Sequence, residues 1–214
     1  MAATEHPLQA LAAYLPEGSF ERVAEFLHQY KVHLTITRQR KSVLGDYRHA
    51  GREGNHRISI NGNLNKYEFL ITLLHELAHL LTFEQFKHRA APHGIEWKQQ
   101  YSQLLSHFVA HQIFPPDIVR ALQASIRNPA ATANGETDLL LVLRKYSIQK
   151  KEGYITMEEL GEGEWFQTEN GRTFQKISRR RKRFTCIEQS SGLSYSFSAV
   201  TEVRKIERPA PKKL

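Results

Sequence analysis

The chain has 214 residues, 40% of them apolar, and a formal charge of +8. That length supports a full hydrophobic core and one or two domains, and the composition excludes a disordered or fibrous chain. A single cysteine, Cys186, excludes an internal disulfide and any thiolate zinc cluster, and fits a reducing compartment.

The opening "MAATEHPLQALAAYLPEGSF" lacks a basic segment followed by an apolar one. The longest apolar stretch is broken by His75, Glu76 and His79, so no membrane span is expected and a cytoplasmic location is the default. Phe20, Val23, Ala24 and Leu27 recur at helical spacing and predict a helix from about Glu17 to Tyr30, after Pro16. The period then changes to two. Val32, Leu34 and Ile36 alternate with polar residues, and Ile58 and Ile60 repeat the pattern before "NGN", which predicts neighbouring strands in a small antiparallel sheet. Helical spacing returns from Lys66 to about Phe83 and again from Gly94 to about Val109, with Trp97, Tyr101, Leu104, Leu105 and Phe108 on the apolar side. The prolines of "PPDIVRALQASI" start another helix. Residues 1–127 thus read as an α+β domain of helices on a small antiparallel sheet.

Residues 128–137 are small, polar and rich in breakers, and read as a linker. Residues 138–206 read as a small basic β-rich domain with hairpin turns at Asn170–Gly171 and Ser191–Gly192, and 207–214 as a tail. From Gly171 onward there are twelve Lys and Arg against three Glu, while the first 170 residues hold eighteen against nineteen. This asymmetry points to a polyanionic partner for the C-terminal part. The cations expected to meet phosphates are Arg172, Lys176, Arg179, Arg180, Arg181, Lys182 and Arg183, with Phe174, Phe184 and Tyr195 as stacking surfaces for unpaired bases. No groove-reading helix is evident, so the expected nucleic-acid contact is independent of base sequence. A charged strand that merely resists aggregation is the competing explanation.

In "LITLLHELAHLLT", residues 70–82, three titratable groups interrupt an otherwise apolar helix. Buried without partners they would be costly. His75 and His79 are four apart, so both face one side of a helix, where two imidazoles can grip one metal ion with Glu76 beside it. This is the H-E-x-x-H arrangement, in which zinc takes the imidazoles and the glutamate acts as base on a metal-bound water. His107 and His111 share the spacing but hold Phe108 in the glutamate's place and read as ordinary helix histidines. A catalytic zinc needs a third protein ligand, and His88, His93 and Glu96 are available. His93 is preferred. Thirteen residues separate it from His79, leaving room for a loop, and it opens the next helix, whose N-terminal dipole favours a neutral imidazole. Glu96 is the alternative ligand or a supporting partner.

The segment "LLHELAHLLTFEQFKHRAAPHGIEWKQQY" resembles the core of SprT-like metalloproteases, the family of Spartan: H-E-x-x-H, a loop, then a histidine-glycine pair opening a helix with an aromatic three residues beyond. The resemblance takes in the upstream strands and covers roughly residues 17–125. It implies a zinc-dependent endopeptidase with one zinc ion per chain, His75, His79 and His93 as ligands, Glu76 as base, and a protein substrate associated with DNA. Many relatives add a cysteine-rich zinc ribbon, which a chain whose one cysteine is Cys186 cannot build. The oxyanion-stabilising residue stays open between Tyr101, Arg89 and others. The rival reading is a zinc-containing nucleic-acid-binding protein without peptidase activity, and an intact Glu76 argues against it.

Overall fold

The computed structural model describes residues 9–40, 43–51, 54–130, 136–147 and 152–209. They form two compact units, Met1–Ser147 and Ile148–Leu214.

The first unit is built around one helix. After a 3-10 turn (Gln9–Tyr14), its elements are α1 (Phe20–Gln29), β1 (Val32–Thr37), β2 (Gly45–Arg48), β3 (His56–Asn61), α2 (Lys66–Phe86), α3 (Ile95–Ala110), α4 (Pro116–Arg127) and α5 (Thr137–Arg144). α2 is apolar on nearly all sides, with Phe69, Leu70, Leu73, Leu74, Leu77, Ala78 and Leu80 buried, as befits a helix covered all round by the rest of its domain. It starts at Asn65, whose side-chain oxygen accepts from the Tyr67 and Glu68 amides at 3.1 and 3.0 Å.

The three-stranded sheet has the order β1-β3-β2. β1 and β3 are neighbours, as expected, but run parallel; only β2 and β3 are antiparallel, so the sheet is mixed. Alternation of apolar residues reports the faces of a strand and not its direction. The chain between β1 and β2 crosses to the far side of β3. There Arg40 donates to Asn61 Oδ1 and Ser59 Oγ, both at 2.9 Å, and Asn61 Nδ2 donates back to the Arg40 and Val43 carbonyls.

Residues 138–147 were expected in the β-rich domain. Instead α5 buries Leu139 and Leu143 in the core of the first unit. Asn65 Nδ2 donates to the Leu143 carbonyl at 3.0 Å, and the Tyr146 hydroxyl donates to Asp117 Oδ1 at 2.6 Å, fastening α5 to the starts of α2 and α4. The apolar run "LLLVL" belongs to a helix because these caps and a leucine face meet a core already there. Within the expected linker, residues 131–135 lie outside the described residues, as do 210–214 of the expected tail.

The second unit is a six-stranded sheet: β4 (Tyr154–Thr156), β5 (Trp165–Gln167), β6 (Thr173–Arg180), β7 (Arg183–Glu188), β8 (Ser194–Ser198) and β9 (Glu202–Ile206), in the order β4-β9-β5-β6-β7-β8. β5 to β8 form an antiparallel meander, and β9 returns to pair with both β4 and β5. Both expected hairpin turns are present, with Gly171 and Gly192 at positive φ. Phe166, Phe174, Phe184, Cys186 and Val203 make its core.

Candidate metal centre

α2 carries His75 and His79 one turn apart, and the turn before α3 carries His93. His93 has φ 55°, a left-handed conformation that costs a side-chain-bearing residue about 1 kcal/mol or more. The segment around it is closed by the Gly94 amide donating to the Ala91 carbonyl at 2.9 Å. The result is that His93 Nε2 lies 3.2 Å from His75 Nε2 and 3.0 Å from His79 Nε2. One proton on His93 cannot serve both neighbours well. A single cation can serve all three: zinc with Zn–N bonds of about 2.0–2.1 Å at tetrahedral angles sets its nitrogens roughly 3.3 Å apart.

Electrostatics agree with the geometry. Burial, then the neighbouring imidazoles, press the His75 pKa down to about 3. Burial, then His93, press that of His79 to about 4, and burial lowers that of His93. All three are therefore neutral near pH 7, the form that binds metal. The donor set is thus chemically suited to a zinc ion, and His75, His79 and His93 are the one such trio among the described residues. His88 sits in the 3-10 turn Lys87–Arg89 with its ring against His49 and Phe83, and Glu96 is not in the trio. His107 and His111, their rings 4.4 Å apart, are not in the trio either.

Glu76 lies on α2 beside the ligands and is only 7% exposed. Burial first, then Asp46, raise its pKa to about 8, against the opposing pull of Arg40. Its carboxylate fits because of β2. A Cβ at Gly45 would stand 2.6 Å from Glu76 Oε1 and 2.9 Å from both Glu76 Cγ and Thr72 Cγ2. Two residues on, and so on the same face of the strand, the Tyr47 ring lies parallel to that of His79, centroids 6.4 Å apart. Trp97 packs its ring against all three ligands at 4.6–5.3 Å, and its buried Nε1–H has no acceptor among the described residues. Tyr101 backs His75 at 5.4 Å and is buried.

Sequence reasoning missed Gly45, Tyr47 and His56. A glycine inside a strand marks close backbone approach and a tyrosine two positions on shares its face, but both signs are readable only once β2 is known to be a strand.

The basic residues of the second unit separate into kinds. Lys176 is buried, its ammonium donating to the Met157 carbonyl at 2.7 Å and to that of Leu160, 3.7 Å above the Phe184 ring. It is not at the surface to meet a phosphate. Arg172 pairs with Glu188 at 2.6 Å over the Tyr195 ring, and Arg179 with Glu158 at 2.7 Å. Arg183 donates to Ser196 Oγ and its carbonyl, both at 2.8 Å. Arg180, Arg181 and Lys182 occupy the exposed tip of the β6–β7 hairpin. Phe174 and Phe184 are 1% and 4% exposed and offer no face to a base.

The searches of curated proteins and of solved structures found no match. The profile of the SprT-like family matches residues 10–118, half of the chain and all of the three-histidine site with its glutamate, and the chain belongs to the SprT-like family, which is of metalloprotease type.

Proposed function

We propose that the chain is a zinc-dependent endopeptidase with one zinc ion per chain, acting in the cytoplasm on proteins associated with nucleic acid. The observation that carries the reading is the convergence of His75, His79 and His93 Nε2 beside a buried Glu76. A bound zinc ion supplies Lewis acidity, polarising the scissile carbonyl and making water a better acid. The residues of the chain do the rest. His75, His79 and His93 stay neutral through burial and each present Nε2 to one point. Glu76, held against Gly45, takes the proton of the attacking water and returns it to the leaving amine. Burial raises the pKa of the Glu76 carboxyl in the metal-free chain, and a cation held by the adjacent imidazoles would favour its ionised, proton-accepting form. Hydrolysis of an unfolded protein by the zinc-loaded chain, abolished by a chelator and restored by zinc, supports this reading. No hydrolysis of any unfolded protein, with or without nucleic acid, favours the rival binding protein.

For the nucleic-acid partner the support comes from the β6–β7 hairpin. Arg180 and Arg183 stand directly opposite each other, a like-charge pairing that destabilises a hairpin, and Arg181 takes φ 54° in the turn, where glycine or asparagine is favoured. Phosphates would neutralise this cluster. The contact set is Arg180, Arg181, Lys182 and Arg183, with Arg172 and Arg179 engaged by carboxylates and Lys176 internal. Four phosphate contacts on duplex DNA give a slope of log K against log salt of roughly −3.6. Reversal of Arg180 and Arg181 to Glu should flatten it by about two units. Binding that ignores salt and these reversals leaves the tip as a solvated edge.

A further inference from the structure

Peptide hydrolysis at this site needs a donor for the negative charge that develops on the carbonyl oxygen. Among the described residues, three aromatic side chains with a polar hydrogen have ring contacts with the histidine ligands: Trp97, Tyr101 and Tyr47. Trp97 and Tyr101 are sealed in the core at 0% and 3% exposure. Arg89, the other residue considered, is exposed and turns its Nε to the Phe86 carbonyl. Tyr47 alone of the three is partly open to solvent, on the strand face that also holds Glu76 in place.

Its hydroxyl lies 2.9 Å from His56 Nδ1. The Ala50 amide donates to the same nitrogen at 3.3 Å, which makes Nδ1 the acceptor and places the His56 proton on Nε2, 3.4 Å from Glu84 Oε1. Tyr47 therefore donates to His56 at rest. Because Ala50 N–H also serves Nδ1, the phenolic O–H can rotate away without leaving that buried nitrogen unpaired. The hydroxyl is thus held ready by a partner that can release it.

We propose that Tyr47 is the oxyanion donor: its O–H turns from His56 Nδ1 to the carbonyl oxygen of the substrate as the tetrahedral species forms, with no proton transferred, while His56 and Glu84 set its resting position. This rests on the metallopeptidase reading. The test compares wild type, Tyr47→Phe, His56→Ala and Glu76→Gln, each zinc-loaded. The readouts are metal content, kcat and KM on a peptide substrate, and calorimetric binding of a phosphinic peptide, whose anionic oxygens mimic the tetrahedral species.

Tyr47→Phe keeps the ring against His79, so it should retain zinc and KM within about twofold, lose roughly 10²- to 10³-fold in kcat, and bind the phosphinic peptide correspondingly more weakly. His56→Ala should lose no more than about tenfold in kcat, since it removes only the resting partner. Tyr47→Phe with unchanged kcat and phosphinic-peptide affinity overturns the proposal. So does loss of zinc in Tyr47→Phe, which makes Tyr47 a mere support for His79, or a His56→Ala defect as deep as that of Tyr47→Phe. A wild type no more active than Glu76→Gln overturns the metallopeptidase reading itself, and the proposal with it.

Discussion

Replacing Gly45 with alanine adds one methyl group and leaves every ionisable group in place, yet it should disable the site. The new Cβ would sit 2.6 Å from Glu76 Oε1, whereas ordinary contact begins at 3.4 Å, so the carboxylate must recede by about 0.8 Å, with Glu76 Cγ and Thr72 Cγ2 giving about 0.5 Å each from 2.9 Å. Glu76 is 7% exposed and so cannot simply swing out into solvent. A displacement near 1 Å of a catalytic group costs on the order of 10²-fold in rate. Overpacking costs about 1–3 kcal/mol, and the stiffer unfolded chain of an alanine variant returns about 0.4–1 kcal/mol. The net is about 1 kcal/mol, or a fall of about 2–4 °C in Tm for a chain of this size. Metal content, kcat/KM and thermal melting are the assays, with Gly51→Ala as control because a Cβ there meets nothing within 4 Å. A Gly45→Ala variant with wild-type activity refutes the argument that β2 positions the base, and one that loses its zinc shows that the strand supports the ligands instead.

His93→Ala should lose most of its zinc by elemental analysis while His88→Ala keeps it, since only His93 brings Nε2 within 3.2 Å of the other two. In the second unit, Lys176→Met leaves two buried carbonyls without their ammonium and should destabilise by about 1–3 kcal/mol in chemical denaturation, yet leave the salt dependence of DNA binding unchanged. Arg172 first, then Ser191, hold the Glu188 carboxyl down at about 2 from an ordinary 4.5. A depressed acid stabilises the fold in full above its unfolded pKa and loses that contribution as pH falls through the folded one. Denaturation midpoints should therefore decline between about pH 4.5 and 2, and Glu188→Gln should flatten that decline.

The helices around the site were legible because α2 and α3 bury long apolar faces, and the site drew notice because three titratable residues in "LLHELAHLL" would be costly to bury without partners. His93 was legible from spacing and helix position. What the residues could not show is direction and company. The alternation in β1 and β3 reads the same for parallel and antiparallel pairing, and only the crossover tied by Arg40 and Asn61 decides it. The leucines of α5 are equally apolar in either unit, and the Asn65 and Asp117 bonds place them in the first. Lys176 is a cation in a basic run by sequence, but on β6 it points to the same side as Phe174 and is drawn into the core. β2 carries Gly45 and Tyr47 to the site in a strand of four residues, too short to stand out by periodicity.

The central claim is that Glu76 is the base of a metal-dependent hydrolysis, and Glu76→Gln tests it most directly, since the change preserves shape and removes only the proton acceptor. With zinc content, melting temperature and substrate held equal, the rate of cleavage of an unfolded protein should fall by several orders of magnitude. Cleavage by the zinc-loaded Glu76→Gln variant at the wild-type rate would contradict the account.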